Sequence, residues 1–265
     1  MWTYLWQNFL IDMKIRDFIV EKASKLYSEL WCKALIEIGL GKGVMTKKLC
    51  YTSDNFFIIE MDKSLIDSLK FKAPDWVSRV QFVCGDVLEV DIDKVLKEKK
   101  LQTSRTLIVG NLPYYITSPI FRKFFEGKQD YPGGVFMIQD EVAQKLKSDA
   151  DKKSYLWWLI NYAYDVTYLK WVPAKSFKPA PRVKSAVVQL KVKSEEPKIN
   201  FQSFKQFLEL YAPYSRKTLG AIQKIVEKHA CKSEQVMIEE FVIPDALRKK
   251  RLEELWWDEI ENILN

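Results

Sequence analysis

The stretch that organises this chain is Ala34-Leu35-Ile36-Glu37-Ile38 followed by Gly39-Leu40-Gly41-Lys42-Gly43. The first five residues form an apolar run of strand length, and a helical pattern through Val44, Leu49 and Tyr51 follows the glycines. Glycines at a turn from strand to helix allow tight backbone geometry and close approach of a nucleotide-like ligand. The turn alone is a weak indication, because any glycine-rich loop can produce it.

Two further apolar runs end in residues suited to the same ligand. The run 56–59 ends in Glu60, a carboxylate placed to accept hydrogen bonds from two ribose hydroxyls. The run 80–84 ends in Gly85-Asp86, where Asp86 would meet the base of an adenosine moiety. Three strands in order, each ending in a ligand-type residue, make an accidental match improbable.

A fourth apolar run, residues 106–109, leads into Gly110-Asn111-Leu112-Pro113-Tyr114-Tyr115. In open α/β sheets the carboxyl ends of the strands bind ligands, so this amide, rigid proline and ring belong to a ligand edge. An Asn-x-Pro-Tyr turn there suits holding the exocyclic amine of a base while a ring stacks on that base. The alternative is an ordinary loop with a buried tyrosine, since Asn and Pro are common after strands.

The order of elements predicts an α/β fold with a second, helical part. Strands and helices alternate over residues 34–139, which favours a parallel sheet built from βαβ units. Two later strands, 165–172 and 185–192, are predicted as an antiparallel addition at one edge. The polar segment 193–198 predicts a boundary between a domain of residues 1–194 and a helical domain of residues 195–265. The apolar spacing in the helical domain is seen at Phe204, Phe207, Leu208 and Tyr211.

Composition limits the class of protein. The 265 residues are 48% hydrophobic and carry a formal charge of +7. Residues 1–194 contain 31 Lys and Arg against 22 Asp and Glu, whereas residues 195–265 contain 11 against 13. A basic region of this kind is expected of a protein that docks on a phosphate backbone, although the lysines alone also fit a surface that merely keeps the protein soluble.

Targeting and metal signals are missing from the sequence. Its cysteines, Cys32, Cys50, Cys84 and Cys231, lack any paired spacing with histidine, so we expect reduced thiols and no zinc site. The start of the chain lacks a signal-peptide pattern, and no apolar stretch is long enough to cross a membrane. The expectation is a cytoplasmic protein with no membrane partner.

Taken together, the motifs resemble a known family. They are Gln7-Asn8-Phe9-Leu10, residues 37–43, Ile59-Glu60-Met61-Asp62, Gly85-Asp86, Gly110-Asn111-Leu112-Pro113-Tyr114, residues 177–188 and Tyr214-Ser215-Arg216-Lys217-Thr218-Leu219. This series is similar to the rRNA adenine N6,N6-dimethyltransferases, more to the bacterial small-subunit branch (KsgA/RsmA) than to the related Erm methyltransferases. The resemblance covers nearly the whole chain.

The resemblance implies a Rossmann-like class I methyltransferase sheet with a small all-helical C-terminal domain, S-adenosylmethionine as cofactor and no metal. The cofactor-binding residues it implies are Asn8, Leu10, Gly39, Gly41, Glu60, Asp86 and Asn111. The catalytic residues it implies are Asn111, Leu112, Pro113, Tyr114 and Phe177, with Tyr114 and Phe177 on the two faces of the target base. It also implies a monomer that acts on 16S rRNA in the immature small ribosomal subunit.

Some residues depart from the family or fit a plainer role. Trp6 stands where glycine is usual, Leu40 stands where proline is common, and the tail before Gln7 is short, so some RNA contacts are expected to be missing. Phe177 also fits a core position between prolines, and His229 fits a solvated helix surface. The tryptophans Trp157, Trp158, Trp256 and Trp257 are predicted to lie in the core.

Three other functions share part of this pattern. A dehydrogenase would explain the glycine turn and Glu60 but not residues 111–114, and its usual turn is G-x-G-x-x-G. An Erm-type enzyme of large-subunit rRNA and a non-catalytic ribosome-assembly or transcription factor on the same fold remain open. Intact Glu60, Asp86 and Asn111 weigh against the non-catalytic factor.

Overall fold

The computed structural model describes residues 8–72, 75–127, 130–195, 198–229 and 241–264. The sequence remarks on Trp6, Gln7 and Cys231 lie outside these residues, as does the side chain of His229. In the described part of the chain, no helix is long and apolar enough to cross a membrane.

The described strands form one large sheet and one small one. They are β1 (Phe9–Leu10), β2 (Ala34–Ile38), β3 (Phe56–Glu60), β4 (Val80–Cys84), β5 (Thr106–Asn111), β6 (Gly133–Gln139), β7 (Tyr164–Val172), β8 (Phe177–Lys178) and β9 (Ser185–Val192). The seven-stranded sheet has the order β4-β3-β2-β5-β6-β9-β7, and β1 pairs with β8. Strands β2 to β6 run parallel to one another, while β9 is antiparallel to both β6 and β7.

Helices cover both faces of the large sheet. They are α1 (Met13–Glu29), α2 (Thr46–Leu49), α3 (Lys63–Phe71), α4 (Ile92–Glu98), α5 (Thr117–Phe125), α6 (Asp140–Leu146), α7 (Tyr155–Ala163), α8 (Phe201–Tyr211), α9 (Leu219–His229) and α10 (Trp257–Leu264). Successive residues of a strand point to opposite faces, so Leu35 lies in one apolar core and Ile36 in the other. Helices α1 to α3 contribute to the core of Leu35, and α4 to α10 contribute to that of Ile36.

The predicted α/β fold is confirmed, and the strand positions follow from burial. Every residue of β2 and β3 is buried, as expected for parallel strands covered on both faces, and such strands read as unbroken apolar runs. The strand predicted at 106–109 continues through Gly110 and Asn111. Asn111 therefore ends the strand itself and is fixed by the sheet.

The helix predicted after the glycine turn is much shorter than the apolar pattern indicates. Only α2, a single turn, follows Gly43, and its Thr46 and Leu49 are buried. Tyr51 is 65% exposed and lies in the turn that leads to β3. The chain turns back once Leu49 has reached the core, so the Tyr51 position in the pattern is accidental.

The predicted antiparallel addition at one edge of the sheet is confirmed by β7 and β9. The structure also gives the order of these two strands within the sheet. The later strand, β9, lies between β6 and β7, so β7 forms the edge. Burial explains the order: the first four residues of β9 are all buried, whereas buried and exposed residues alternate at the start of β7. A strand that alternates suits an edge with one face in solvent.

The C-terminal helices share the core that holds Ile36. The predicted apolar face of α8, with Phe204, Phe207, Leu208 and Tyr211, is buried. The Phe204 ring lies 6.2 Å from that of Trp158 on α7, so side chains on both sides of the predicted boundary at residue 194 contact each other. The division into two domains stays a prediction.

The prediction for the tryptophans is wrong at one position. Trp157 and Trp158 are buried and Trp257 packs against them, but Trp256 is 62% exposed. Trp256 immediately precedes α10 and faces away from the core that Trp257 enters. Its ring instead covers the Lys153 ammonium, which lies 4.2 Å from the ring centre.

Candidate active site

The glycine turn after β2 has the conformation that only glycine adopts readily. Gly39, Gly41 and Gly43 have φ angles of 81°, 53° and 70°. The Gly39 N–H donates to the Ile59 carbonyl over 2.9 Å, which fixes the turn against the end of β3. A Cβ on Gly41 would lie 3.5 Å from the Phe9 ring, so the turn passes close beneath β1.

Glu60 connects the glycine turn to the end of β3. It is 8% exposed, and its two carboxylate oxygens accept hydrogen bonds from the Leu40 N–H at 2.8 Å and the Asp62 N–H at 2.9 Å. A carboxylate has about four acceptor positions, so two remain for hydroxyl groups of a ligand. Leu40 is itself buried, which shows that this turn accommodates leucine at the position where proline is usual.

Asp86 follows β4 at the same edge of the sheet. One of its oxygens, Oδ1, accepts a hydrogen bond from the Leu88 N–H at 2.8 Å, and the side chain is half-buried. Met61, directly after Glu60 on the neighbouring strand, is 59% exposed and offers an apolar surface there. Sequence reasoning quoted Met61 without giving it a role, although an apolar residue just after the acidic one was the available signal.

Asn111 lies beside the glycine turn at the end of β5. Its backbone carbonyl oxygen is 4.0 Å from the position that a Cβ on Gly39 would occupy. Its side-chain Nδ2 donates to the Asn8 backbone carbonyl over 3.4 Å. Among the residues that the structure describes, no group donates to its Oδ1 or to the Leu112 carbonyl. Both oxygens are therefore available as acceptors.

The turn after Asn111 is held rigidly. Leu112 is buried and its N–H donates to the Met137 carbonyl over 3.0 Å. Pro113 has φ of −59° and ψ of 131°, and its carbonyl accepts the Thr117 hydroxyl over 3.2 Å. Tyr114 follows, with its hydroxyl 2.7 Å from that of Ser185. Burial raises the pKa of the Tyr114 hydroxyl, and the hydrogen bond to Ser185 opposes that shift.

A strap, formed by residues 8–12 and 176–178, ties the start of the chain to the proline-rich loop. Leu10 pairs with Phe177, and the Ser176 hydroxyl donates to Asp12 over 3.0 Å. The side chains of Leu10 and Phe177 are 5% and 3% exposed and belong to one apolar core. Leu10 and Phe177 thus share one core, and Phe177 occupies the core position that its sequence context also fitted.

Phe9, a residue of the strap, was not singled out from the sequence, yet its ring faces the glycine turn. A Cβ added to Gly41 would lie 3.5 Å from this ring, and the Lys42 ammonium lies 4.9 Å from the ring centre. The alternation of Asn8, Phe9 and Leu10 along a strand was the available signal, because Leu10 faces the core and Phe9 therefore faces the other way.

Glu37 is a third residue to which sequence reasoning gave no role. It is 1% exposed at the end of β2, and the Thr46 hydroxyl donates to its Oε2 over 2.7 Å. Burial raises the pKa of Glu37 to about 8, the Thr46 hydrogen bond opposes the shift, and the Glu60 charge adds to it. We therefore expect Glu37 to be a neutral acid at neutral pH, with the Thr46 hydroxyl as its hydrogen-bond donor.

The raised pKa of Glu37 predicts a loss of stability with rising pH. Folded Glu37 keeps its proton up to about pH 8, whereas the unfolded chain releases it near the ordinary value of 4.5. The free energy of unfolding therefore falls as pH rises through this window. Glu37→Gln has no proton to release, so we expect this pH dependence to be absent from the variant. The free energy of unfolding of the variant, relative to that of the wild type, should therefore be larger at about pH 9 than at about pH 5.

Urea unfolding followed by tryptophan fluorescence at both pH values measures the effect. The same pH dependence in both proteins would show that Glu37 is ionised in the folded state.

Most of the residues predicted from the sequence thus converge on one edge of the sheet, whereas the Phe177 side chain lies in the core. The glycine turn, Glu60 and Asn111 adjoin one another, the strap covers the turn, and Asp86 lies at the end of the neighbouring strand β4. Within the described ranges, no group of three or more His, Cys, Asp or Glu side chains is arranged to hold a metal ion.

Comparison with known proteins places the chain among rRNA-modifying enzymes. The family model described as "Ribosomal RNA adenine dimethylase" matches residues 3–264. "Ribosomal RNA small subunit methyltransferase A" of Alkaliphilus oremlandii is 35% identical over 208 residues, which are 78% of this chain and 70% of that protein. The protein of the same description from Leuconostoc mesenteroides is 37% identical over 69% of this chain and 61% of its own length.

Solved structures agree on the fold. A dimethyladenosine transferase from Plasmodium falciparum superimposes with a TM-score of 0.72 at 21% identity, over 97% of this chain and 96% of that one. The 23S rRNA methyltransferase ErmE superimposes with a TM-score of 0.59 at 21% identity, over 87% of this chain and 98% of that one. At such identities the likeness concerns the fold alone.

Proposed function

The chain belongs to the ribosomal RNA adenine dimethylase family, and from that premise we propose its substrate and the residues that act on it. It is an S-adenosylmethionine-dependent rRNA adenine dimethyltransferase. We propose that it methylates the N6 amines of two adjacent adenosines near the 3′ end of 16S rRNA, in the immature small ribosomal subunit, and acts as a monomer.

The observation that supports this function best is the nearness of Asn111 to the glycine turn. The backbone carbonyl oxygen of Asn111 lies 4.0 Å from the position that a Cβ on Gly39 would occupy. A methyl donor bound over Gly39 would therefore lie beside the residue proposed to hold the methyl acceptor. Such nearness converts a reaction between two molecules into one within a single complex.

The residues present fit S-adenosylmethionine. Gly39 and Gly41 leave open backbone, Glu60 has acceptor positions for the two ribose hydroxyls, and the free oxygen of Asp86 suits an adenine amine. Asn8 and Leu10 would cover the cofactor through the strap, where Asn8 already contacts Asn111. The cofactor supplies an electrophilic methyl carbon on a sulfonium, so the reaction needs no metal.

The proposed work of Asn111 and Leu112 is to prepare a poor nucleophile. The lone pair of an adenine amine is delocalised into the ring. Asn111 Oδ1 and the Leu112 carbonyl would accept its two N–H groups and stabilise the pyramidal amine, whose lone pair then points away from the ring. Pro113 fixes the backbone direction after Leu112, because its ring restricts φ.

A general base is not required. The amine becomes acidic once methylated, and its proton can leave to water. The sequence contains one histidine, His229, which lies in α9 within the C-terminal part. The protein's contribution is therefore to orient the base and to exclude water around the buried Leu112.

The two aromatic rings proposed for the base differ in accessibility. Tyr114 is half-buried and can stack on an extruded base, which contributes roughly 1 to 3 kcal/mol. Phe177 is 3% exposed and would reach the base only if the strap moved. A monomethylated amine keeps one N–H for one of the two acceptor oxygens, and stacking does not read the edge of the base, so a pocket with room for one methyl group can act twice.

The RNA partner agrees with the charge distribution. Residues 1–194 carry 31 basic against 22 acidic side chains, so the catalytic part attracts a phosphate backbone. The two quoted bacterial relatives are both described as small-subunit methyltransferases, which favours the small over the large subunit.

Transfer of labelled methyl groups tests this assignment. The purified protein and labelled S-adenosylmethionine are incubated either with immature small ribosomal subunits or with isolated large-subunit RNA. We expect label in the small subunits alone. Label confined to large-subunit RNA would identify an Erm-type enzyme, and cofactor binding absent from a calorimetric titration would identify a non-catalytic factor.

A further inference from the structure

The hydroxyl groups of Tyr114 and Ser185 join two distant parts of the chain. They share a hydrogen bond of 2.7 Å although the residues are 71 positions apart. Tyr114 begins a short helical turn, Tyr114–Ile116, between β5 and α5, and Ser185 is the first residue of β9. The contact thus ties the proposed base-stacking ring to the antiparallel part of the sheet.

Ser185 is a rigid attachment point. It is fully buried, and its backbone pairs with Gln139 of β6 on one side and Val172 of β7 on the other. A residue held between two strands has little freedom to shift. Its hydroxyl therefore has a nearly fixed position at the carboxyl end of β6.

Tyr114 needs such a fixed point. The sheet ends at Asn111, and the turn that follows is held through the carbonyl of Pro113, which fixes the backbone but not the Tyr114 ring. The next residue, Tyr115, is 64% exposed. A hydrogen bond at the far end of the phenol ring fixes the direction of the ring axis, and it favours one ring plane because a phenol hydroxyl prefers hydrogen bonds that lie in the plane of its ring. Stacking on a base requires that plane to be set before the base arrives.

We propose that Ser185 is a positioning residue, which holds the Tyr114 ring through their shared hydrogen bond in the orientation that stacks on the target adenine. This inference rests on the proposed function, in which Tyr114 stacks on the base. Ser185 is fully buried and would itself touch neither base nor cofactor. Loss of the Ser185 hydroxyl should therefore lower turnover and weaken base stacking without changing cofactor affinity.

The test compares Tyr114→Phe, Ser185→Ala and the double variant. Tyr114→Phe keeps the ring and loses the hydrogen bond, and Ser185→Ala loses the same bond from the other side. We expect each to lower kcat about three- to tenfold, as for the loss of one hydrogen bond, with affinity for S-adenosylmethionine within twofold. Because all three lack the same bond, the double variant should be no slower than either single one.

Tyr27→Phe is the matched control. The Tyr27 hydroxyl donates to the Ser53 hydroxyl over 2.9 Å, and Ser53 also contacts the Lys33 carbonyl just before β2, at the opposite edge of the sheet. This variant also loses a hydrogen bond between a tyrosine and a serine hydroxyl, but far from the site. We expect its kcat to equal that of the wild type.

A fluorescent base gives a second reading. With 2-aminopurine in place of a target adenosine, stacking on Tyr114 quenches emission in the complex with the wild type, and we expect weaker quenching with Ser185→Ala.

Unchanged kcat and quenching in Ser185→Ala and Tyr114→Phe, additive losses in the double variant, or a parallel fall in cofactor affinity would each overturn the proposal. A wild type that methylates no small-subunit adenosine would instead overturn the proposed function.

Discussion

Replacing Asn111 with alanine should slow methyl transfer by roughly 10²- to 10³-fold, the usual cost of losing one preorganised polar group that stabilises a transition state. Asn111 Oδ1 accepts no hydrogen bond from the described residues and lies at the end of β5 beside the glycine turn. It is therefore free to accept from the target amine. Cofactor affinity should change only a few-fold, because Asn111 is assigned mainly to the target amine. Some change is expected, since the variant also loses the 3.4 Å hydrogen bond to the Asn8 carbonyl.

Asn55→Ala provides the control for this variant. The Asn55 amide donates to the Lys33 carbonyl over 3.1 Å at the amino edge of the sheet, so its removal deletes a similar bond away from the site. Single-turnover rates of both variants and calorimetric titration with S-adenosylmethionine separate turnover from binding. Normal turnover in Asn111→Ala would remove Asn111 from the mechanism.

Glu60→Ala should weaken binding of S-adenosylmethionine by about 1 to 3 kcal/mol, because a charged acceptor is lost from the ribose hydroxyls. The structure adds a second reason. Glu60 also accepts the Leu40 N–H at 2.8 Å, so its removal frees the glycine turn. Glu60→Gln retains one acceptor oxygen and should lose less affinity than Glu60→Ala.

Calorimetric titration measures both Glu60 variants beside Glu29→Ala. Glu29 lies at the surface in ion pairs with Lys25 at 3.7 Å and Lys191 at 3.8 Å, and its variant should bind as the wild type does. If Glu60→Ala and Glu60→Gln, both folded by circular dichroism, bound the cofactor as tightly as the wild type, Glu60 would have no place in the site.

Local sequence patterns were enough to predict the strands of the sheet and the residues at its carboxyl edge. Buried parallel strands read as unbroken apolar runs, so β2 and β4 were predicted with the bounds that the structure has. The residue after such a run necessarily lies at the edge where ligands bind, which is why Glu60 and Asn111 could be chosen before their contacts were known.

Contacts between distant segments left no such pattern. The pairing of Leu10 with Phe177 and the bond between Tyr114 and Ser185 depend on how the completed sheet brings the chain together. Burial at single positions was equally hidden: Phe177 and Trp256 both lie in mixed sequence, and only the packed structure shows that one is buried and the other exposed. The proton on Glu37 follows from that same packing.

The central claim concerns the product, and mass spectrometry of the rRNA tests it most directly. Immature small subunits are incubated with the protein and S-adenosylmethionine, and the 16S rRNA is then digested and analysed. The proposed function predicts N6,N6-dimethyladenosine at two adjacent positions near the 3′ end. Monomethyladenosine as the only product, or dimethyladenosine found only in large-subunit RNA, would contradict it.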